Sequence, residues 1–542
     1  MKRAAAVALL ALSLALAWSA FVRAPLIVNA PTHLDSDLAV DGMTLREAVD
    51  GRWRWQYPGT PYMGTGAVLL SYPQAKVWGV TPETLASGGT VAYLLLICGV
   101  FATAWACRGP KVAAWSLVPL AFASTGTIWL TGRVTGGHML AAAWSAWAWA
   151  MFAWFARRGG KGGGALLGLW LGLGMWHDSM FLMTIVGMAT AGLVLAVATR
   201  GAWTRRSALG FMLALAAGFA IGQAPKPIGR WLEPYDAYGG QFAWSLDPEL
   251  LRDHARILFL DCLPRIVAGH RLPGLEADPD PELIGGGSPL TRPGRGDAGA
   301  IAIATTALGL LMFAASFTAL KWRVVRRASP SDDPRTPVER AIALGLLVSS
   351  AAILAGFVVN RNIFDADNQR YLVLWLIPGA LGFGMVMDAL AARGAGGKLA
   401  AAGIATAFAL AFAADSLAWY RRLGWVDERG SVVRRPVDDP ALRWLDEHPE
   451  VGAFTAGYWD VYRLAFLADR PVRGTPYPIY PDRYPEWSRD LPGGRPTILI
   501  ARPTLQDQHF LREALEAGGE VLFRGRGTTI ATWPVAPPVN VD

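Results

Sequence analysis

The sequence predicts an α-helical polytopic membrane protein of about eleven spans, followed by a C-terminal soluble α/β domain. Three observations point there. Apolar residues come in blocks of roughly 17–22, the length that crosses ~30 Å of hydrocarbon at ~1.5 Å per residue. Of 542 residues, 53% are hydrophobic and only 17% are charged, less charge than a soluble globular chain carries. After Tyr420 the composition turns polar, which divides the chain into a membrane domain, 1–420, and an outer domain, 421–542.

The first block, Ala4–Phe21, follows Lys2 and Arg3. Small residues near Trp18–Ala20 permit a signal-peptide reading, but about eighteen apolar residues is long for one and favours an uncleaved anchor. Either way the next segment lies outside the cytoplasm. Further spans are expected near 90–107, 112–130, 138–156, 165–177, 180–198, 207–223, 298–320, 341–359, 371–390 and 399–418. Basic residues test this order, because Lys and Arg gather on the cytoplasmic side. Turns expected inside hold Arg108 and Lys111; Arg157, Arg158 and Lys161; Arg200, Arg205 and Arg206; Lys321, Arg323, Arg326 and Arg327; Arg393 and Lys398. Short turns expected outside hold only Arg133, Arg361 and Arg370. The chain therefore starts inside and ends outside. Much of the net charge of +8 serves topology, so no nucleic-acid partner is expected.

The first outside loop, 23–88, is the most informative stretch. Asp35, Asp37 and Asp41 lie just past the first span. Leu38, Met43, Leu45 and Val49 have helical spacing, which predicts a short amphipathic helix on the membrane surface, capped near Asp35–Asp37. Trp53, Trp55, Tyr57, Tyr62 and Tyr72 follow as interfacial aromatics. A plainer reading makes the acids caps and the aromatics anchors. Arg133 and His138, then Trp176, His177 and Asp178, fall at the same outer boundary.

The long outside loop, 224–297, has a helical piece near Pro248–Leu260 and carries His254, Asp261, Arg265 and His270. Its segment Ala277–Asp297 reads as turn or mobile loop. The turn Asn360–Tyr371 holds Arg361, Asp365, Asp367 and Arg370. It is either a phosphate clamp, since arginine forks suit phosphate oxygens, or surface charge with a helix cap. In the outer domain, helices are expected at Ala441–His448, Tyr458–Leu467 and Gln506–Ala517. Strands are expected at Val451–Thr455, Pro496–Ala501, Val521–Phe523 and Thr528–Trp533, giving a small α/β layer. No GxGxxG or P-loop is present. Cys98, Cys107 and Cys262 show neither a disulfide framework nor zinc spacing.

Carboxylates after the first span, rim arginines and a lipid-facing body suit a reaction between a lipid-phosphate-linked group and an outside acceptor. A carboxylate can take the acceptor's proton, and arginines can stabilise the departing phosphate. Two other classes compete: a lipid-linked sugar transporter or flippase, and a noncatalytic scaffold presenting the outer domain. Transporters place charges deeper in the bilayer, and these span interiors are nearly free of acids and bases.

Three local strings carry a resemblance. They are Leu34–Asp35–Ser36–Asp37–Leu38–Ala39–Val40–Asp41–Gly42 after the first span, Gln56–Tyr57–Pro58–Gly59–Thr60–Pro61–Tyr62–Met63–Gly64, and Arg370–Tyr371–Leu372 followed by Pro378. With the order of elements, they resemble the GT-C class of polytopic glycosyltransferases, especially bacterial relatives of the protein O-mannosyltransferases and the lipid A aminoarabinose transferase. The resemblance implies a polyprenyl-phosphate sugar donor, hexosyl or pentosyl transfer with inversion, and a glycan, lipid or protein acceptor. It implies a bacterial inner membrane with a periplasmic outer domain. It places Asp37 as the base, with Asp35 as assistant or alternate. Arg370, Arg361, Arg133, Tyr62, His177 and Asp178 are the candidate substrate contacts. The usual Glu after the motif Asp is Leu38 here, which puts that Glu's role in doubt. The expected cofactor is none beyond the lipid-linked sugar co-substrate. The oligosaccharyltransferase branch uses a divalent metal, but no metal cluster is visible in this sequence.

Overall fold

A computed structural model of the chain describes residues 2–132, 137–158, 161–198, 205–237, 243–270, 300–325, 336–489 and 496–534. Helix α1 (Lys2–Val28) leads to α2 (Ser36–Val49), a hairpin of β1 (Gln56–Tyr57) and β2 (Thr60–Gly64), and α3 (Gly66–Trp78). The bundle continues with α4 (Pro82–Arg108), α5 (Pro110–Ser116), α6 (Val118–Ala121), α7 (Thr125–Thr131), α8 (His138–Arg158), α9 (Lys161–His177), α10 (Leu182–Ala198) and α11 (Arg205–Gln223). Then come α12 (Pro225–Leu232), α13 (Pro248–Arg256), α14 (Leu263–Ala268), α15 (Ala300–Val325), α16 (Thr336–Val359), the tight helical turns Ala366–Trp375, α17 (Leu376–Ala391) and α18 (Ala395–Arg422).

This is a multi-pass membrane protein. Nine helices among the described residues are long and apolar enough to cross a bilayer. The expected span 112–130 is instead broken, with Pro110–Ala121 and Thr125–Thr131 meeting at 87°. The cause is local. Pro119 lacks an amide hydrogen, and Ser124 starts a new helix by accepting from Thr127 N at 3.1 Å. The Ser124 hydroxyl donates to Ile266 O at 2.7 Å, which ties the bend to α14. The expected span 165–177 lies in α9, which at 17 residues is shorter than any of the nine.

Small residues set the helix packing, as they do where lipid offers no hydrophobic drive. Helices α9 and α11 run parallel, with Gly164, Gly168 and Gly172 against Phe211, Leu215 and Phe219. Gly218 and Gly222 face back onto Ala165 and Leu169. At the end of the bundle away from Asp37, buried Glu339 pairs with Arg323 at 3.1 Å and Arg108 at 3.4 Å.

Arg23 and Asp415 are buried ionisable groups within long helices, whose span interiors were expected to be nearly free of acids and bases. Helix α1 continues past Phe21, which brings Arg23 inside. It is fully buried, donates to Thr131 Oγ1 at 2.5 Å and Ser19 O at 2.8 Å, and lies 3.9 Å from the Tyr93 ring centroid. On α18, Asp415 pairs with His270 at 2.8 Å.

Beyond α18 come α19 (Pro440–Glu447), β3 (Ala453–Ala456), α20 (Tyr458–Leu467), β4 (Arg473–Pro476), α21 (Pro485–Arg489), β5 (Ile498–Ala501), α22 (Leu505–Glu516), β6 (Val521–Gly525) and β7 (Thr528–Thr532). The sheet order is β4-β3-β5-β7-β6, parallel across β4, β3 and β5 and antiparallel across β5, β7 and β6. Strand β4 was not expected; its Arg-Gly-Thr-Pro has no apolar run to signal it. The apolar core is continuous from the bundle through α2 into α20, with Leu38, Leu45, Val461 and Phe466 in one cluster. Asn29, at the end of α1, holds this region in place. Its side chain donates to Val433 O at 2.9 Å and accepts from Arg435 N at 2.7 Å.

Candidate active site

Asp35 has extended backbone and caps α2, its Oδ1 accepting from Leu38 N at 2.9 Å. The expected helix therefore forms, but not as a surface element. Ser36, Leu38–Leu45 and Ala48 are buried, and Asp41 is 1% exposed. Helix α20 covers it so closely that a Cβ on Gly42 would stand 2.5 Å from the Phe466 ring. A helix roofed by protein on one side and packed on the bundle on the other has no face left for lipid.

Asp37, in the first turn of α2, keeps a side chain 32% exposed. Tyr458 donates to its Oδ1 at 2.6 Å, and Arg483 Nη2 lies 3.5 Å from the same oxygen. Arg483 is 5% exposed on its side chain and is itself anchored. Its Nε donates to Tyr458 Oη at 3.0 Å and its Nη1 to Pro58 O at 3.2 Å. Tyr57 donates to Asp37 O at 2.6 Å. Burial, followed by the charges of Asp41 and Asp37, pushes the Tyr57 phenol well above its ordinary value, so it stays a donor. Nearby, Tyr462 donates to Asp482 Oδ1 at 2.9 Å and accepts from Arg483 N at 2.6 Å. Burial raises the Asp482 carboxyl against three hydrogen bonds that lower it.

The hairpin supplies the next wall. Gly59 (φ 65°) makes its turn, and Tyr62 is half-buried on β2. Trp176 Nε1 donates to Trp55 O at 2.9 Å. His177 is fully buried, with Nε2 at 2.9 Å from Gly137 O. Asp178 is 1% exposed; one oxygen accepts from Met180 N at 2.8 Å and the other meets His138 Nδ1 at 2.7 Å.

Arg370 comes from the tight turns Ala366–Trp375, whose start is capped by Asp365 and Asn368. Its guanidinium lies 5.3 Å from the Tyr371 ring centroid and interacts electrostatically with Asp37 and Asp365. Buried Arg265 pairs with Asp367 at 3.2 Å. Arg361 is exposed, its amide bound to Ala243 O at 2.8 Å. Arg133 and the segment Ala277–Asp297 lie outside the described residues. The structure thus leaves Arg370 within electrostatic range of Asp37, sets Asp178, His177 and Tyr62 around the hairpin, and puts Arg361 on the surface.

Sequence reasoning missed Tyr458 and Arg483. Tyr458 opens a helix that the sequence does show, but its partner is 421 residues away. Arg483 lies in an irregular Tyr-Pro-Asp-Arg-Tyr-Pro stretch with no periodicity to read. Among the described residues, no three His, Cys, Asp or Glu side chains converge as metal ligands would.

The fold is that of the polytopic GT-C class. No family model matches the sequence, and no curated protein matches it. Among solved structures, ArnT from Cupriavidus metallidurans bound to undecaprenyl phosphate is similar at TM-score 0.56 and 14% identity, over 96% of this chain and 97% of that one. AglB, the oligosaccharyltransferase of Archaeoglobus fulgidus, in complex with an inhibitory peptide and a dolichol-phosphate, is similar at TM-score 0.51 and 13% identity, over 91% of this chain and 69% of that one.

Proposed function

We propose that the chain is a membrane glycosyltransferase that moves a sugar from a polyprenyl-phosphate donor to an acceptor hydroxyl, with inversion. The observation that carries this is the Asp37 carboxylate, one third exposed and gripped on one oxygen by Tyr458 and Arg483, with Arg370 in electrostatic reach. Both contacts fall on Oδ1, so Oδ2 takes the acceptor's proton as the acceptor oxygen attacks the anomeric carbon. The bond from that carbon to the phosphate oxygen breaks, and Arg370 stabilises the charge that gathers there. Asp35 acts through the cap, fixing the turn that carries Asp37. The ligands named with ArnT and AglB, undecaprenyl phosphate and dolichol-phosphate, support the donor class. The site end of the bundle faces the periplasm of a bacterial inner membrane, with the N-terminus in the cytoplasm.

The deciding experiment is a transfer assay in native membranes with radiolabelled polyprenyl-phosphate hexoses and pentoses, comparing wild type with Asp37→Asn. Label reaching a new acceptor only when Asp37 is intact supports the reading. Donors left intact by folded wild-type protein across the whole panel would overturn it.

A further inference from the structure

His138 stands beside the site with an arrangement that the proton transfer to Asp37 does not use. Its Nδ1 lies 2.7 Å from Asp178 Oδ2. Asp178 cannot swing away, because its Oδ1 holds Met180 N at 2.8 Å and the carboxylate is 1% exposed. A carboxylate fixed on both oxygens sets Nδ1 as the donor, orients the ring and stabilises an imidazolium. The second nitrogen, Nε2, is thereby free of that duty. The His138 side chain is 13% exposed, and its ring stands edge-on to Tyr371 at 5.2 Å between centroids. Tyr371 in turn lies under Arg370, which interacts with Asp37. Tyr371 thus joins His138 to Arg370 by ring contacts, and Arg370 is within electrostatic range of Asp37. Among the described residues, Tyr371, His177 from α9 and Lys226 from α12 also act on the pair.

We propose that His138 Nε2 is the acid that protonates the leaving phosphate, with Asp178 as its positioning residue. The assignment rests on the transferase reading above. When the bond between the anomeric carbon and the phosphate oxygen breaks, its electron pair stays on that oxygen. A singly charged phosphodiester thus becomes a doubly charged monoester. A phosphate monoester can take up its second proton near ~6, so a neighbouring imidazolium held by a carboxylate can deliver one to it. The acceptor's proton leaves on Asp37, the proton of His138 leaves on the phosphate, and solvent resets both groups. Arg370 supplies charge and His138 supplies the proton, which an arginine cannot do.

The test uses the full-length enzyme in detergent, the same radiolabelled polyprenyl-phosphate hexoses and pentoses, and His138→Gln, Asp178→Asn and the double variant. His138→Gln is expected to lower kcat by roughly 100-fold, with donor KM changed less than about threefold. Asp178→Asn should lower it by about tenfold, and the double variant should be no worse than His138→Gln alone, since the two act as one unit. The alkaline limb of the wild-type kcat profile should vanish in His138→Gln. Unchanged kcat, additive losses or an unmoved alkaline limb would each overturn the assignment. If His138→Gln does not fold, the alkaline limb of Asp178→Asn decides, and a limb identical to wild type rejects the pair. Transfer that needs Asp37 but ignores His138 sinks only this inference, whereas a wild type without transfer sinks the reading beneath it.

Discussion

Tyr458 donates its phenolic hydrogen to Asp37 Oδ1 at 2.6 Å, joining the first turn of α2 to the first turn of α20. The acid is thus held from above by the C-terminal region and from below by the cap at Asp35. Replacing Asp37 by Asn keeps the shape and an acceptor for Tyr458 but removes the base. Transfer should fall by about 10²–10⁴-fold, while the thermal unfolding midpoint of the detergent-solubilised protein stays close to wild type. A variant retaining more than a tenth of wild-type transfer would remove Asp37 from the base role.

The two arginines near Asp37 should behave differently. Arg483 is buried and holds Tyr458, Pro58 and Asp37 at once. Arg483→Ala removes those three contacts and should cost about 3 kcal/mol of stability, read as a clear drop in unfolding midpoint. Arg370→Ala should leave that midpoint nearly unchanged and raise donor KM about tenfold or more. Equal destabilisation by both changes would contradict this division.

The glycine contact between α9 and α11 gives a packing prediction. A Cβ at Gly168 would stand 2.0 Å from the backbone oxygen of Leu215. Gly168→Leu should therefore force the helices apart and sharply reduce the yield of folded protein. Gly162 has nothing within 4 Å of its Cβ position, so Gly162→Leu serves as the control and should fold normally. Similar yields from the two variants would rule out the close packing.

Two acids of the C-terminal sheet region oppose each other in pH dependence. Burial raises the Asp439 carboxyl, but Arg502 and Arg463 outweigh it and hold it down at about 2. Its stabilisation is present above the unfolded-state value near ~3.9 and is lost as pH falls toward about 2. Asp507 goes the other way. Burial pushes it up to about 6 against the Arg502 amide and Thr504. Its contribution is complete below ~3.9 and is lost as pH rises through about 6. Each shift is worth roughly 2–3 kcal/mol. Protection of β5 and β7 against hydrogen exchange, corrected for the intrinsic pH dependence of exchange, should therefore peak at about pH 4. Asp507→Asn should abolish the loss on the alkaline side, and a loss that persists in that variant would assign it to another group.

Much of the fold was legible because lipid imposes length and apolarity on every crossing helix. The acid after α1 and the arginine opening a late helix were legible as residue types at boundaries. The break near Pro119–Ser124 was obscured because an unbroken apolar run hides a bend made by a proline and a hydroxyl cap. The roof over α2 was hidden for a different reason. Its pattern of apolar spacing is the same whether lipid or Phe466 covers it. Tyr458 and Arg483 matter through contacts more than 400 residues away along the chain, and no local pattern encodes such a contact.

The 421-residue separation of Tyr458 from Asp37 also has a consequence for biosynthesis. At ~5–20 residues per second, a ribosome needs roughly 20–85 seconds to travel from one to the other. During that interval every span after α1 is made while Asp37 still lacks its roof. The nascent chain thus enters the membrane with Asp37 ungripped, and Tyr458 and Arg483 reach it only when translation is nearly finished.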